Sequence, residues 1–293
     1  MSVLSHLLRV GGMALWLCLS ASASALTIVP NSPTTDWTPI FYPSAIPDAG
    51  DDQSTGVAEA DLVGDLIHAA LYATFDDAGT PLATDGNLGF RVRIGSEQNP
   101  PGFSQVLAVG IDADANGAID LFLLVDNQGQ DRIAIYDPGT GANTSPSNTT
   151  ISATGTTYAQ GPGNYDWSPV DGTIDPLASS FDVDADGSTD YFLSFVVPFQ
   201  DVVDALAANG IAGVDESTAL SFVVGTSTQA NSFNQDLAGP TGGVNSSSTW
   251  GALGAISDPI APASLPEPSS AALLGLGLAA LACWRRASSR AAR

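Results

Sequence analysis

Basic residues are scarce in this chain, and lysine is absent from it. The 293 residues include 8 basic ones, all arginine, against 31 acidic ones, a formal net charge of −23 at pH 7. Between Leu26 and Leu265, called the body below, only Arg91, Arg93 and Arg132 offset 30 carboxylates, a net charge of −27. Such a surface repels nucleic acid and anionic lipid, which argues against either as a partner. It also calls for counter-ions, and divalent cations are the obvious candidates.

Reactive side chains are scarce as well. The two cysteines, Cys18 and Cys283, lie near the chain ends, so the body can hold no disulfide, thiolate catalyst or zinc–cysteine site. Its single histidine, His68, stands at the edge of an apolar stretch, where a buried, hydrogen-bonded role is commoner than catalysis. The body also lacks a glycine-rich phosphate loop. A non-catalytic protein is therefore predicted, although a glycosidase-like aspartate pair stays open.

The N-terminus has the pattern of a secretory signal peptide. Residues 1–9 carry one positive charge, residues 10–19 are apolar, and residues 21–25 offer two overlapping A-x-A cleavage sites. Signal peptidase is therefore expected to remove residues 1–25, which leaves a mature chain that begins near Leu26.

The C-terminus combines a proline motif, an apolar run and a basic cluster. Residues 265–269 read Leu-Pro-Glu-Pro-Ser, and the apolar run after them ends at Trp284. As a helix, the 16 residues from Ser269 to Trp284 would extend about 24 Å, somewhat less than the ~30 Å hydrocarbon core of a bilayer. Four arginines follow, which favours a cytoplasmic C-terminus and a body outside the membrane: Arg285, Arg286, Arg290 and Arg293.

This pattern resembles the PEP-CTERM sorting signal of Gram-negative bacteria. Pro266, Glu267 and Pro268 stand at the family's Pro-Glu-Pro motif, and Arg285 and Arg286 begin its basic cluster. The resemblance implies that an exosortase, a membrane-embedded cysteine protease-like enzyme, cuts near the motif. The transmembrane helix would then anchor the protein to the inner membrane only transiently, before it reaches the cell surface or the extracellular space. An ordinary single-span tail anchor is the alternative.

The body has the composition of an all-β protein. It is rich in Gly, Ser, Thr, Asn, Asp and Val, which favours strands joined by turns. Leu88 to Ile94 alternates apolar and polar residues, which predicts a strand with Arg91 and Arg93 on the face away from the core. A short helix is predicted in the first half of residues 60–77. Further strands are predicted in the more continuous apolar runs: 104–111, 121–125, 132–136, 191–199 and 219–225.

The predicted fold class is an antiparallel, jelly-roll-like β-sandwich with one short helix, at residues 201–208. The sandwich is expected to span residues 26–256. Residues 257–265 form a Pro/Ala linker in this prediction, and residues 266–293 form the sorting segment. Residues 137–165 are expected to be mostly loop, with one or two weak edge strands.

Two acidic loops carry the chemical signal. Their oxygen-bearing side chains stand at positions 1, 3, 5 and 9, with a glycine at position 6: Asp112, Asp114, Asn116 and Asp120 in loop 1, and Asp182, Asp184, Asp186 and Asp190 in loop 2. This spacing suits Ca²⁺, because alternate side chains converge on one point and a backbone carbonyl at position 7 can add an oxygen. The loops resemble the D-x-D-x-D-G repeats of many extracellular calcium proteins.

Both loops depart from the EF-hand. Position 12 is Leu123 or Leu193 in place of a bidentate glutamate, and the expected arrangement is strand, acidic loop, strand. The missing glutamate predicts weak affinity for calcium, on the order of 10⁻⁴ to 10⁻³ M. The alternative is a turn whose Asp and Asn side chains bond their own backbone and hold no ion.

Two non-catalytic functions fit these observations. One is a calcium-stabilised structural protein of the cell surface or a biofilm matrix, and the other is a glycan-binding module whose partner is extracellular polysaccharide. Residues 191–228 are loosely similar to the end of carbohydrate-binding and DOMON-type β-sandwich domains. The aromatics available for sugar stacking are Tyr165, Trp167 and Trp250. An exposed aromatic pair on one sheet face would favour glycan binding, and burial of these rings would favour the structural role.

Overall fold

The computed structural model describes residues 27–265, apart from gaps at 43–47, 49, 51, 55, 80–81, 99–100 and 240–247. The predicted signal peptide and sorting segment lie outside the described residues. Within the described ranges, no helix has the length and apolar character needed to cross a membrane.

The described part of the chain folds into two antiparallel sheets, which confirms the all-β sandwich. The five-stranded sheet has the order β1-β2-β3-β9-β8, and the six-stranded sheet has the order β11-β10-β4-β5-β6-β7. The strands are β1 (Thr38–Ile40), β2 (Leu71–Asp76), β3 (Asn87–Ile94), β4 (Val106–Asp112), β5 (Leu121–Asp126), β6 (Arg132–Pro138), β7 (Ile151–Ala159), β8 (Tyr165–Pro169), β9 (Tyr191–Pro198), β10 (Ser221–Ser227) and β11 (Asp236–Leu237).

The main core lies between the two sheets. Phe90 on β3 meets Phe222 on β10 edge to face, with 5.2 Å between ring centroids. Because successive side chains of a strand point to opposite faces, Leu107 and Val109 of β4 enter this core while Ala108 faces outward.

The outer faces of both sheets are also covered. Ile28 and Trp37 of the N-terminal segment cluster with Phe192 outside the five-stranded sheet. Phe233 and Trp250 pack on Phe122 outside the six-stranded sheet. These covering segments explain why β4 and β5 are buried along their whole length and read as continuous apolar runs.

The covering segments also change the surroundings of the two arginines of β3. Arg91 and Arg93 lie on the face away from the main core, as predicted, yet both are fully buried. The Arg91 guanidinium donates to the backbone carbonyls of Pro30 and Ser32, each at 2.7 Å. It also lies over the Trp37 ring, 4.4 Å from its centroid. The N-terminal segment therefore closes over an arginine that the alternation pattern by itself would leave at the surface.

The largest strand difference is at residues 137–165, where the sequence predicts mostly loop. Strand β7 runs for nine residues, and β8 begins at Tyr165. Strand β7 lies at a sheet edge, and most of its described side chains are exposed or half-buried, so its Thr/Ser/Gly sequence shows no apolar alternation. Its pairing with β6 defines it through backbone hydrogen bonds instead.

The helical elements differ from the prediction at three places. Helix α1 (Phe199–Ala208) begins two residues earlier than expected. Where a short helix is predicted after Ala60, the chain has only a 3₁₀ turn at Ala58–Ala60 and then irregular backbone up to β2. Trp250 begins a one-turn helix, α2 (Trp250–Leu253), and is buried, with its indole nitrogen donating to the Ala142 carbonyl at 2.8 Å.

Residues 257–265 pack against the sandwich, whereas the sequence predicts a linker there. The buried Ser257 hydroxyl accepts a hydrogen bond from the Phe222 amide at 2.9 Å, and Ile260 bridges to Leu220. Leu265 is buried in the main core. The Pro and Ala content suggests a linker, but Ile260 and Leu265 gain apolar burial by closing the end of the sandwich.

Candidate metal centres

Loops 1 and 2 share one backbone conformation. Position 4 is an alanine with positive φ in each, 59° at Ala115 and 62° at Ala185. The glycines at position 6, Gly117 and Gly187, have φ of 80° and 94°, which is why a residue without a Cβ is favoured there. Because a left-handed alanine is strained, its occurrence at the same position twice indicates that other contacts hold both loops in this shape.

Four hydrogen bonds from backbone amides to side chains repeat in the two loops. Position 1 accepts from the amide of position 6, at 2.8 Å in loop 1 and 3.1 Å in loop 2. Position 3 accepts from position 5, and position 5 accepts from position 7. Position 9 accepts from position 2, at 2.9 and 3.3 Å. These are the bonds of the self-bonded turn, so they position the carboxylates but do not distinguish a turn from an ion site.

Three carboxylates converge in each loop. In each loop, positions 1, 3 and 9 each offer an oxygen within 4.8 Å of the other two: Asp112, Asp114 and Asp120, and likewise Asp182, Asp184 and Asp190. Three Oδ1 atoms, those of Asp112, Asp182 and Asp190, are buried without a hydrogen-bond donor among the described residues. Because buried polar atoms are normally satisfied, such converging oxygens fit a hard cation.

The side chains at position 5 make hydrogen bonds within their own loops. The Asn116 side chain donates to Asp114 at 3.0 Å, and its oxygen accepts from the Ala118 amide at 2.7 Å. Asp186 is exposed and accepts from the Ser188 amide at 2.6 Å. The structure therefore brings together the carboxylates at positions 1, 3 and 9 of each loop, and in loop 2 the carboxylate at position 5, Asp186, is not part of that group.

The two loops differ in their surroundings. Loop 1 joins β4 to β5, as predicted, whereas loop 2 is entered from irregular backbone and only β9 follows it. Arg93 donates to Asp190 of loop 2 at 2.8 Å and to Asp175 at 2.7 Å, and all three side chains are buried. In the described part of the chain no arginine pairs with Asp120 of loop 1. The carboxylate at position 9 is thus paired with an arginine in loop 2, and within the described residues it is not in loop 1.

Burial raises the pKa of three carboxyls in the two loops, those of Asp120, Asp184 and Asp190. It is the main cause of the raised pKa of Asp120. For Asp184, burial and then the hydrogen bond with Asp182 raise the pKa to about 7. For Asp190, burial raises the pKa to about 6, against the opposing effect of Arg93. Without a cation, these carboxylates are therefore held in a less favourable state at neutral pH than in the unfolded chain.

In metal-free buffer, we expect the protein to melt at a higher temperature near pH ~5 than near pH ~8. A carboxyl whose folded pKa exceeds its unfolded value of 3.8 stabilises the fold at low pH, and that stability is lost as the pH rises through about 6 for Asp190 and about 7 for Asp184. Circular dichroism melts across this interval measure the effect. Asp184→Asn should reduce the fall in melting temperature over the upper half of this pH interval. A melting temperature that rises with pH would contradict the raised pKa values of Asp184 and Asp190.

The structure assembles a third acidic cluster that the sequence does not indicate. Asp48, Asp52 and Asp236 each offer a carboxylate oxygen, and these three oxygens lie within 4.8 Å of one another. Asp236, on β11, accepts from the backbone amides of Leu62 at 2.6 Å and Leu237 at 2.8 Å. Burial is the main cause of the strongly raised pKa of both Asp48 and Asp236. No spacing rule could find this cluster, because most of the body separates Asp52 from Asp236.

Comparison with known families identifies one segment of the chain. The family model for the PEP-CTERM protein-sorting motif matches residues 264–287. The chain carries a PEP-CTERM sorting motif. The motif implies export, membrane-associated sorting with processing by an exosortase, and then surface localisation. Comparisons with curated proteins and with solved structures each found no match, so the likeness of the body to carbohydrate-binding and DOMON-type domains stays a prediction.

The aromatics considered for sugar stacking contact other residues of the body. Trp250 is buried under the six-stranded sheet. Trp167 is half-buried, stacks on Tyr191 with 4.9 Å between ring centroids, and donates from its indole nitrogen to Glu97 at 2.8 Å. Tyr165 packs against the main core. Of the three rings, Trp250 is buried, whereas Tyr165 and Trp167 are half-buried.

Proposed function

We propose that this protein is a calcium-stabilised, non-catalytic component of the bacterial surface or biofilm matrix, delivered there by exosortase processing. The sorting motif supports the delivery route. The observation that supports calcium is that one loop geometry occurs twice, with carboxylates 1, 3 and 9 converging in both copies. A self-bonded turn needs no such convergence of like charges, which repel one another without an ion.

The ligand chemistry favours calcium over other metals. Both loops offer only oxygen ligands, which suit hard cations, and the body has no cysteine for a softer metal. Position 5 is exposed in both loops, and position 3 is exposed in loop 1 and half-buried in loop 2, so water can complete a coordination sphere of six to eight ligands. Magnesium fits less well, because it demands near-ideal octahedral geometry and gives up water reluctantly.

Calcium is expected to raise the melting temperature of the mature protein. An ion that binds only the folded state stabilises it by RT ln(1 + [L]/Kd), so ~10 mM calcium against a Kd near ~0.1 mM contributes about 2.7 kcal/mol per site. At about 2 to 4 °C per kcal/mol for a domain of this size, one loop gives a shift of roughly 5 to 11 °C, and two loops give more. Differential scanning calorimetry in calcium, in magnesium and in EDTA at matched ionic strength measures it.

The decisive variant for this experiment is Asp114→Ala with Asp184→Ala, which should abolish most of the calcium-specific shift. Asp77→Ala with Asp171→Ala is the matched control, because these aspartates only accept amide hydrogen bonds in turns and lie outside the acidic clusters. It removes the same charge and should keep the shift. Equal effects of calcium and magnesium, or equal responses of the two double variants, would rule out calcium sites in the loops.

A further inference from the structure

All cationic side chains of the body already have partners away from the third acidic cluster. Arg91 donates to Ser194 and to backbone carbonyls of the N-terminal segment, and Arg93 pairs with Asp175 and Asp190. Arg132 lies beside Asp126 and Tyr136, and the His68 ring nitrogen is 3.0 Å from Asp65. Since the body has no lysine, no side chain is left to neutralise further buried carboxylates.

The third cluster is nevertheless built from buried carboxylates. Asp48 and Asp236 are 5% and 4% exposed, and Asp52 is half-buried. Asp61, at 3% exposure, is close enough to raise the pKa of both Asp48 and Asp236 by charge repulsion. Four carboxylates thus share one region of low solvent access, and bringing them together is costly unless a positive charge joins them.

Asp48 supplies a second, independent sign of a ligand. Both of its carboxylate oxygens are buried, and neither is in hydrogen-bond geometry with a donor among the described residues. The nearby Gly239 amide offsets only part of the rise in the Asp48 pKa. One of the Asp48 oxygens belongs to the group within 4.8 Å of Asp52 and Asp236, so the side chain is directed into the cluster.

We propose that Asp48, Asp52 and Asp236, with Asp61 beside them, bind one calcium ion that ties the N-terminal segment to β11. A set of carboxylate oxygens selects a hard cation, and a buried site with several charged ligands binds it more tightly than the open loops do. The site is separate from the loops but adjoins loop 2. A Cβ at Gly50, between Asp48 and Asp52, would lie only 2.3 Å from the Asp184 Cβ, so loop 2 packs directly on this segment.

The test counts bound calcium in a chain whose loops are disabled. The mature Asp114→Ala/Asp184→Ala protein is dialysed against calcium, and bound ion per chain is measured by atomic emission. We expect one calcium per chain, and none after Asp48→Asn is added. Asp126→Asn is the matched control, because Asp126 is a buried aspartate outside the cluster, and it should leave the count at one. If the loops fail as calcium sites, wild type and the loop variant bind the same single ion, so the two proposals are tested separately.

A stability measurement covers the case in which Asp48→Asn alters folding. In metal-free buffer, adding Asp48→Asn to the loop variant should raise the melting temperature, because it removes a buried charge. In calcium, the loop variant should melt at a higher temperature than in metal-free buffer, and the protein with Asp48→Asn should not show this increase. If Asp48→Asn does not fold, Asp52→Asn takes its place in both measurements. Asp52 is half-buried, and its replacement should abolish binding of the same ion. A loop variant that binds no calcium, or an Asp48→Asn effect that is equal with and without calcium, would overturn the site and indicate carboxyls neutralised by protons.

Discussion

Replacing Arg93 with methionine is expected to lower the free energy of unfolding by about 3–5 kcal/mol. Arg93 is fully buried on β3 and holds Asp190 at 2.8 Å and Asp175 at 2.7 Å. It also lies over the Phe192 ring, 4.6 Å from the centroid. Methionine keeps much of the apolar contact, but it leaves Asp190, which is itself fully buried, without a positive partner. The cost therefore comes mainly from an uncompensated buried charge.

Urea unfolding of the mature protein in EDTA measures this loss. Arg132→Met is the matched control, since Arg132 is partly exposed and its contact with Asp126 is 3.5 Å long, so we expect a clearly smaller loss than for Arg93→Met. Adding Asp190→Asn to Arg93→Met should recover part of the lost stability, because it removes the orphaned charge. Equal losses in the two arginine variants would mean that the buried ion pair does not organise this face of the sheet.

Calcium offers a further check on the same variant. Arg93 donates a hydrogen bond to one carboxylate oxygen of Asp190. Its removal frees that oxygen and makes loop 2 more negative, so loop 2 becomes a better cation site. The stability lost in Arg93→Met should therefore be smaller in calcium than in EDTA. A loss of the same size in both buffers would argue against an ion in loop 2.

Replacing Pro266, Glu267 and Pro268 together with alanine is expected to leave secretion across the inner membrane intact and to trap the protein in that membrane. These residues lie within the matched sorting motif, and an uncut C-terminal segment keeps its apolar run and its arginines. The released fraction should fall close to zero. Intact-mass analysis of the trapped protein should find Cys283 still present, whereas the released wild type should lack it.

Two comparisons make this sorting experiment specific. Wild type in a host without exosortase should show the same trapping as the triple variant. Alanine at Pro100 and Pro101, the adjacent proline pair of the body, should leave release unchanged, because it lies outside the sorting motif. Normal surface release of the triple variant would contradict the role assigned to these three residues and would favour an ordinary tail anchor.

Local patterns predicted much of the sandwich. The alternation in β3 and the apolar runs of β4, β5, β6, β9 and β10 match observed strands, because side-chain period reports which faces are buried. Strand β7 was predicted only as one or two weak edge strands in a loop, because an exposed edge strand is defined by pairing rather than by burial. The predicted linker also failed, since contacts of Ile260 and Leu265 with distant residues decide whether that segment packs.

The sequence by itself determined the sorting motif, the all-β class and the spacing of the oxygen-bearing side chains in loops 1 and 2, because each depends on residues that are close together in the chain. Only the tertiary structure decided that Arg93 is buried against Asp190, that the aromatic candidates are engaged, and that Asp48, Asp52 and Asp236 meet. Those contacts join residues far apart in sequence. Arg93 meets Asp190, and Trp167 meets Tyr191, because β3 and β8 both pair with β9. The third cluster forms where the N-terminal segment meets β11, and no local spacing encodes either arrangement.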